Sequence, residues 1–134
     1  MSKRAVVSLV VVLTAGVVAG PVGAAARQTT IAAASTPDYR VVVGAQRLAG
    51  GGGAPTASVT LTSYRRASAG WARIGSRRVP GTYFWNTVTA SRGVCRLELR
   101  TAGAGPRFVP RALVQLLVSP SLGCGSARSF ALGG

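Results

Sequence analysis

The chain has no histidine, one lysine (Lys3) and only two acidic residues, Asp38 and Glu98, among 134 residues. Each shortage removes a chemistry. A serine or cysteine nucleophile needs a neighbouring base, and beyond Lys3 neither an imidazole nor an ammonium is present to act as one. A carboxylate pair for glycoside hydrolysis would have to join Asp38 to Glu98. Glu98 is flanked by Arg96 and Arg100, which suits a structural ion pair better than a general acid. Two cysteines without histidine or C-x-x-C spacing leave zinc short of ligands. Gly50 to Gly53 lack the following lysine and the strand-to-helix setting of a phosphate cradle, so they read as a loop. These absences argue against an enzyme and imply no cofactor and no metal.

The N-terminus carries Lys3 and Arg4, an apolar run from Ala5 to about Gly20, and small residues around Pro21 and Gly23. This is the pattern of a secretory signal peptide helix over residues 1–26, with an A-x-A site at Ala24 and Ala26. Cleavage after residue 24, 25 or 34 also satisfies the small-residue rule. The alternative is an uncleaved N-terminal membrane anchor, since Ala5 to Ala26 is long enough to span. Cleavage after Ala26 leaves 134 − 26 = 108 residues, enough for one domain. An exported chain with two cysteines is expected to join them as a disulfide, Cys95 to Cys124.

Charge dominates what is present. The formal net charge is +14, and removing Lys3 and Arg4 leaves +12, carried by 14 arginines. Such a chain is drawn to polyanions: teichoic acid, acidic polysaccharide, nucleic acid or anionic lipid.

Residues 27–37, "RQTTIAAASTP", are small, polar and aperiodic and read as a flexible leader, with the domain at 38–134. "YRVVVG" reads as a strand, and "TASVTLTSY" as a second with Ala57, Val59 and Leu61 on one face. "RRASAGWARIGSRR" reads as a hairpin with a four-residue loop Arg66 to Ala69. Pairing Arg65 with Gly70 sets Leu61 opposite Ile74 in the core and puts Tyr64, Trp71, Thr62 and Arg73 on the other face. "RALVQLLVS", residues 111–119, fits either a strand or a helix, with the strand slightly favoured by its neighbours. The expected fold is all-β, an antiparallel β-sandwich of about seven short strands.

"SVTL", a Trp after a polar turn, and "GVCRLELR" follow one another along residues 39–101. In this the chain resembles bacterial secreted Ig-like and prealbumin-like sandwiches, including carboxypeptidase-regulatory-like modules. Their late strand reads G-x-Y-x-L-x-L; Cys95 stands at the tyrosine, and "VPGTYF" replaces the usual D-G-x-F turn. The resemblance implies a spacer or binding role and carries over no site residues.

Within "TYFWNTVTASRGVCRLELR", pairing Thr89 with Val94 across "ASRG" puts Val88, Cys95, Asn86, Leu97, Phe84 and Leu99 on a core side. The other side becomes a platform of Tyr83, Trp85, Arg96 and Arg100, suited to a polyanion. Two alternatives stay open: Tyr83 or Trp85 belongs to the core, or the two strands lie in different sheets and only the outward direction of Arg96, Glu98 and Arg100 persists. Tyr64, Trp71 and Arg73 form a further candidate face. The function expected is a secreted or cell-wall-associated, non-catalytic binding module for anionic polymers. The alternative is a protein-directed effector, an inhibitor or cationic antimicrobial, whose loop at Arg65 to Gly70 or Arg77 to Gly81 enters a protein partner.

Overall fold

The computed structural model describes residues 27–49 and 53–133. The expected signal peptide and most of the glycine run lie outside the described residues. Nine strands and one helical turn follow in order: β1 (Gln28–Ser35), β2 (Tyr39–Arg47), β3 (Thr56–Ala67), β4 (Gly70–Arg78), β5 (Tyr83–Phe84), α1 (Trp85–Val88), β6 (Val94–Arg100), β7 (Arg111–Ser119), β8 (Gly123–Cys124) and β9 (Arg128–Ala131). They form an antiparallel β-sandwich. One sheet runs β1-β2-β3-β4 with β5 also on β3; the other joins β6 and β9 to the two edges of β7, with β8 completing it.

Period-two alternation builds the core. Val41, Val43 and Ala45 of β2 and Ala57, Val59 and Leu61 of β3 are buried, while the residues between them face outward. From the second sheet, Ala112, Val114 and Leu116 of β7 close over them, with Leu97 and Leu99 of β6 packed alongside. Burying each of these valines and leucines contributes roughly 1.5–3 kcal/mol, and each alanine less. Residues 111–119 are thus a strand, paired on both edges as no helix could be.

Three expectations are corrected. Residues 28–35 are not a flexible leader but an edge strand, paired with β2 from Gln28 opposite Gln46 to Ser35 opposite Arg40, with Ile31, Ala32 and Ala34 packed on the core. The hairpin of β3 and β4 closes more tightly than a four-residue loop. Ala67 pairs with Gly70, whose φ of 123° suits a residue without Cβ. That register moves the partner of Leu61 two residues along, and a bulge between Ser63 and Tyr64 that skips Ile74 adds a third, so Leu61 faces Arg77 rather than Ile74.

The hairpin expected across "ASRG" does not form either. Tyr83 and Phe84 pair with Ala57 and Thr56 of β3. Trp85 to Val88 then make one turn of helix, closed by Thr89 donating from its backbone N and its Oγ1 to the Trp85 carbonyl oxygen. This turn touches β2, β3 and β7 and plugs one end of the sandwich. Strand β6 pairs with β7 instead, Leu97 opposite Val114 and Leu99 opposite Ala112.

Candidate functional site: the outer face of the first sheet

Because β2, β3 and β4 run in register, their outward residues line up in rows across the sheet. One row reads Arg40, Tyr64, Arg73; the next reads Val42, Thr62, Ser76; a third reads Gly44, Thr60, Arg78. Above them Arg66 pairs with Trp71. The Arg66 guanidinium carbon lies 4.5 Å from the centroid of the Trp71 ring, while its Nε donates to the Pro37 carbonyl oxygen at 2.8 Å. Stacking and hydrogen bond together fix an otherwise mobile side chain.

Thr30 of β1, Arg40, Val42, Tyr64 and Trp71 surround a depression of about 320 Å³. Four arginines therefore share this face, Arg40, Arg66, Arg73 and Arg78, together with two aromatic rings and a set of hydroxyls, and neither acidic residue lies on its strands. Arg40 and Arg73 flank Tyr64 from neighbouring strands, so their backbones stand about 10 Å apart. The arrangement offers planar, multi-donor cations around a half-buried aromatic wall, which is chemistry for carboxylate or phosphate recognition.

Tyr64, Trp71 and Arg73, expected from sequence to share a face, do so. Thr62 lies with them and Thr62 Oγ1 stands 3.5 Å from Ser76 Oγ. The other platform is taken apart. Tyr83 is buried, 8% exposed, and its hydroxyl donates to the Pro80 carbonyl oxygen at 2.7 Å. Burial raises the pKa of this phenol, and the charge of Arg128 opposes the rise. Trp85 sits on α1, packed against the core. Arg96 and Arg100 do point outward, but from the second sheet, where Arg96 pairs with Glu98 as an ion pair and Arg100 stands opposite Arg111.

Arg40, Arg66 and Arg78 are the site arginines that sequence reasoning missed. The signal for Arg40 was present, since it alternates with the buried Val41 and Val43. Only the pairing of β2 with β3 sets it beside Tyr64. Arg66, expected in the hairpin loop, is the cross-strand partner of Trp71, one pair before the turn.

A second concavity, about 750 Å³, lies at one end of the second sheet between Arg92, Val94, Leu117 and Pro120. The Cys95–Cys124 disulfide forms part of its wall, joining β6 to β8 with Cα atoms 6.3 Å apart. Among the described residues no group of three or more potential metal ligands occurs, and no helix is long and apolar enough to cross a membrane. No family model, curated protein or solved structure matches this chain.

Proposed function

We propose that this protein is a secreted, non-catalytic module that binds anionic polymers of the cell envelope through the outer face of its first sheet. The observation that carries the reading is the row Arg40, Tyr64, Arg73 beside the stacked Arg66 and Trp71, a cationic and aromatic surface on strands that hold no carboxylate. The N-terminal signal pattern supports export, and the net charge of +14 supports long-range attraction to such polymers. The counterpart face on the second sheet is less suited, because Glu98 neutralises Arg96 there.

The protein-directed alternative is weaker on geometry. The Arg65 to Gly70 segment is taken up by the ends of β3 and β4, leaving only Ser68 and Ala69 to project. In the Arg77 to Gly81 segment Val79 is buried and Pro80 accepts the Tyr83 hydroxyl.

The test exploits the two tryptophans, Trp71 and Trp85. In a Trp85→Phe background Trp71 is the sole indole, and its emission is titrated with teichoic acid and heparin across salt concentrations. Binding should weaken steeply with salt. Arg40→Ala with Arg73→Ala should weaken it about tenfold or more, and Arg96→Ala with Arg100→Ala far less. Equal losses from the two pairs would reduce the proposal to a general effect of basicity with no dedicated face.

A further inference from the structure

Beyond Tyr64 the outer face changes character. The outward residues of β3 are Thr62, Thr60, Ser58 and Thr56, each half-buried, spaced about 6.8 Å apart along the strand. Ser76 of β4 stands opposite Thr62, and Gln46 of β2 opposite Ser58. The result is a track of short hydroxyls and an amide, with arginines at its start (Arg40, Arg73) and beside its middle (Arg78, opposite Thr60).

From this track we infer that the polymer recognised is an acidic polysaccharide, a chain of sugar rings bearing carboxylate or phosphate groups, laid along β3. The inference rests on the polyanion reading above and narrows it. A single-stranded nucleic acid is held by charge and by successive aromatic platforms. Here the rings stand only at the two ends of the track, Trp71 with one face under Arg66 at one and Phe84, opposite Thr56, at the other, and bases laid along the positions between, Ser58 to Thr62, would meet no ring. A chain of sugars meets a hydroxyl or amide partner at every second residue of β3 and a guanidinium for its acidic substituents at Arg40, Arg73 and Arg78. Hydroxyls that donate and accept are also the groups that match sugar hydroxyls in either orientation.

The decisive experiment separates hydroxyl recognition from charge. In the Trp85→Phe background, Thr60→Val with Thr62→Val removes two hydroxyls, keeps the β-branched shape of the strand and leaves charge untouched. Ser58→Ala with Ser76→Ala removes two others and serves if the first pair fails to fold. Each is titrated with polygalacturonate and with single-stranded DNA at one salt concentration, alongside Arg40→Ala with Arg73→Ala. The hydroxyl variants should bind polygalacturonate about tenfold more weakly while holding DNA within about twofold. Equal loss for both polymers, or for neither, overturns the glycan assignment and leaves the polyanion reading standing. If the arginine variant binds both polymers as the parent does, the polyanion reading falls with it.

Discussion

Gly93 lies with its α-carbon against the Val88 carbonyl, so close that a β-carbon there would overlap that oxygen and stand 2.7 Å from the Thr87 carbonyl oxygen. The same residue is tied on both sides. Its N–H donates to the Ala90 carbonyl oxygen at 2.9 Å, and its own carbonyl accepts from Leu117 N–H at 2.9 Å. Gly93→Ala must therefore move either α1 or the start of β6. We expect a loss of about 3 kcal/mol, measured by denaturant unfolding. A stable Gly93→Ala protein would show that α1 is not fixed against β6.

Tyr83 gives a pH prediction. Burial, partly offset by Arg128, makes the folded protein hold the phenol proton more tightly than the unfolded chain does. Its contribution to stability is complete below about pH 10, where both states are protonated, and is lost as pH climbs through the folded-state value. Phenolate absorbance should show a tyrosine that ionises late, above the ordinary range of a phenol. Tyr83→Phe should abolish that late step and cost about 1 kcal/mol at neutral pH through the lost bond to Pro80.

Removing residues 27–35 should cripple the fold rather than free it of a tail. Strand β1 places Ile31, Ala32 and Ala34 on the core and supplies a full ladder to β2. A chain beginning at Thr36 should melt about 10 °C or more below one beginning at Gln28. Equal melting temperatures would return this segment to the status of a leader. By the same reasoning cleavage after Ala34 would cut through β1, so if the N-terminal pattern directs export as proposed, N-terminal sequencing of secreted material should find a start near Arg27.

The disulfide closes a separation of 29 residues, worth about 3–4 kcal/mol in the chain-entropy model. Cys124→Ser should lose that amount in denaturant unfolding. Cys124 is exposed and both cysteines line the open concavity of the second sheet, so a small thiol should reduce the bond in the native protein without denaturant. Two titratable thiols in protein purified without reductant would sink the assignment.

How much of this was legible in the sequence follows from what each signal depends on. The faces of β3 and β4 were readable because face depends only on parity. The hairpin register is off by two residues, which leaves Tyr64, Trp71 and Arg73 together but breaks the one core pair that required true register, and the bulge at Ile74 shifts Leu61 one residue further. Residues 111–119 fit a helix almost as well as a strand because the outward positions of β7, Leu113, Gln115 and Leu117, are half-buried and mostly apolar, and a strand covered on both faces loses much of its polar alternation. The Tyr83 platform failed for a non-local reason. β5 pairs with residues more than two dozen positions earlier, and nothing within "TYFWNTV" reports that partner. Strand β1 was hidden because three consecutive alanines, Ala32 to Ala34, have weak strand propensity and earn their place only by packing.

Strand β1 also decides how the molecule meets mechanical load. Any pull arriving from the N-terminal side enters through Gln28 and acts on an outermost strand whose hydrogen-bonded neighbour is β2 alone. The covalent clamp between Cys95 and Cys124 belongs to the other sheet and carries none of that tension. Under traction the strand expected to yield first is therefore β1, peeling from β2 beside the depression that Thr30 helps to line, so that the proposed binding face would be disturbed through β1 rather than through the disulfide-tied half.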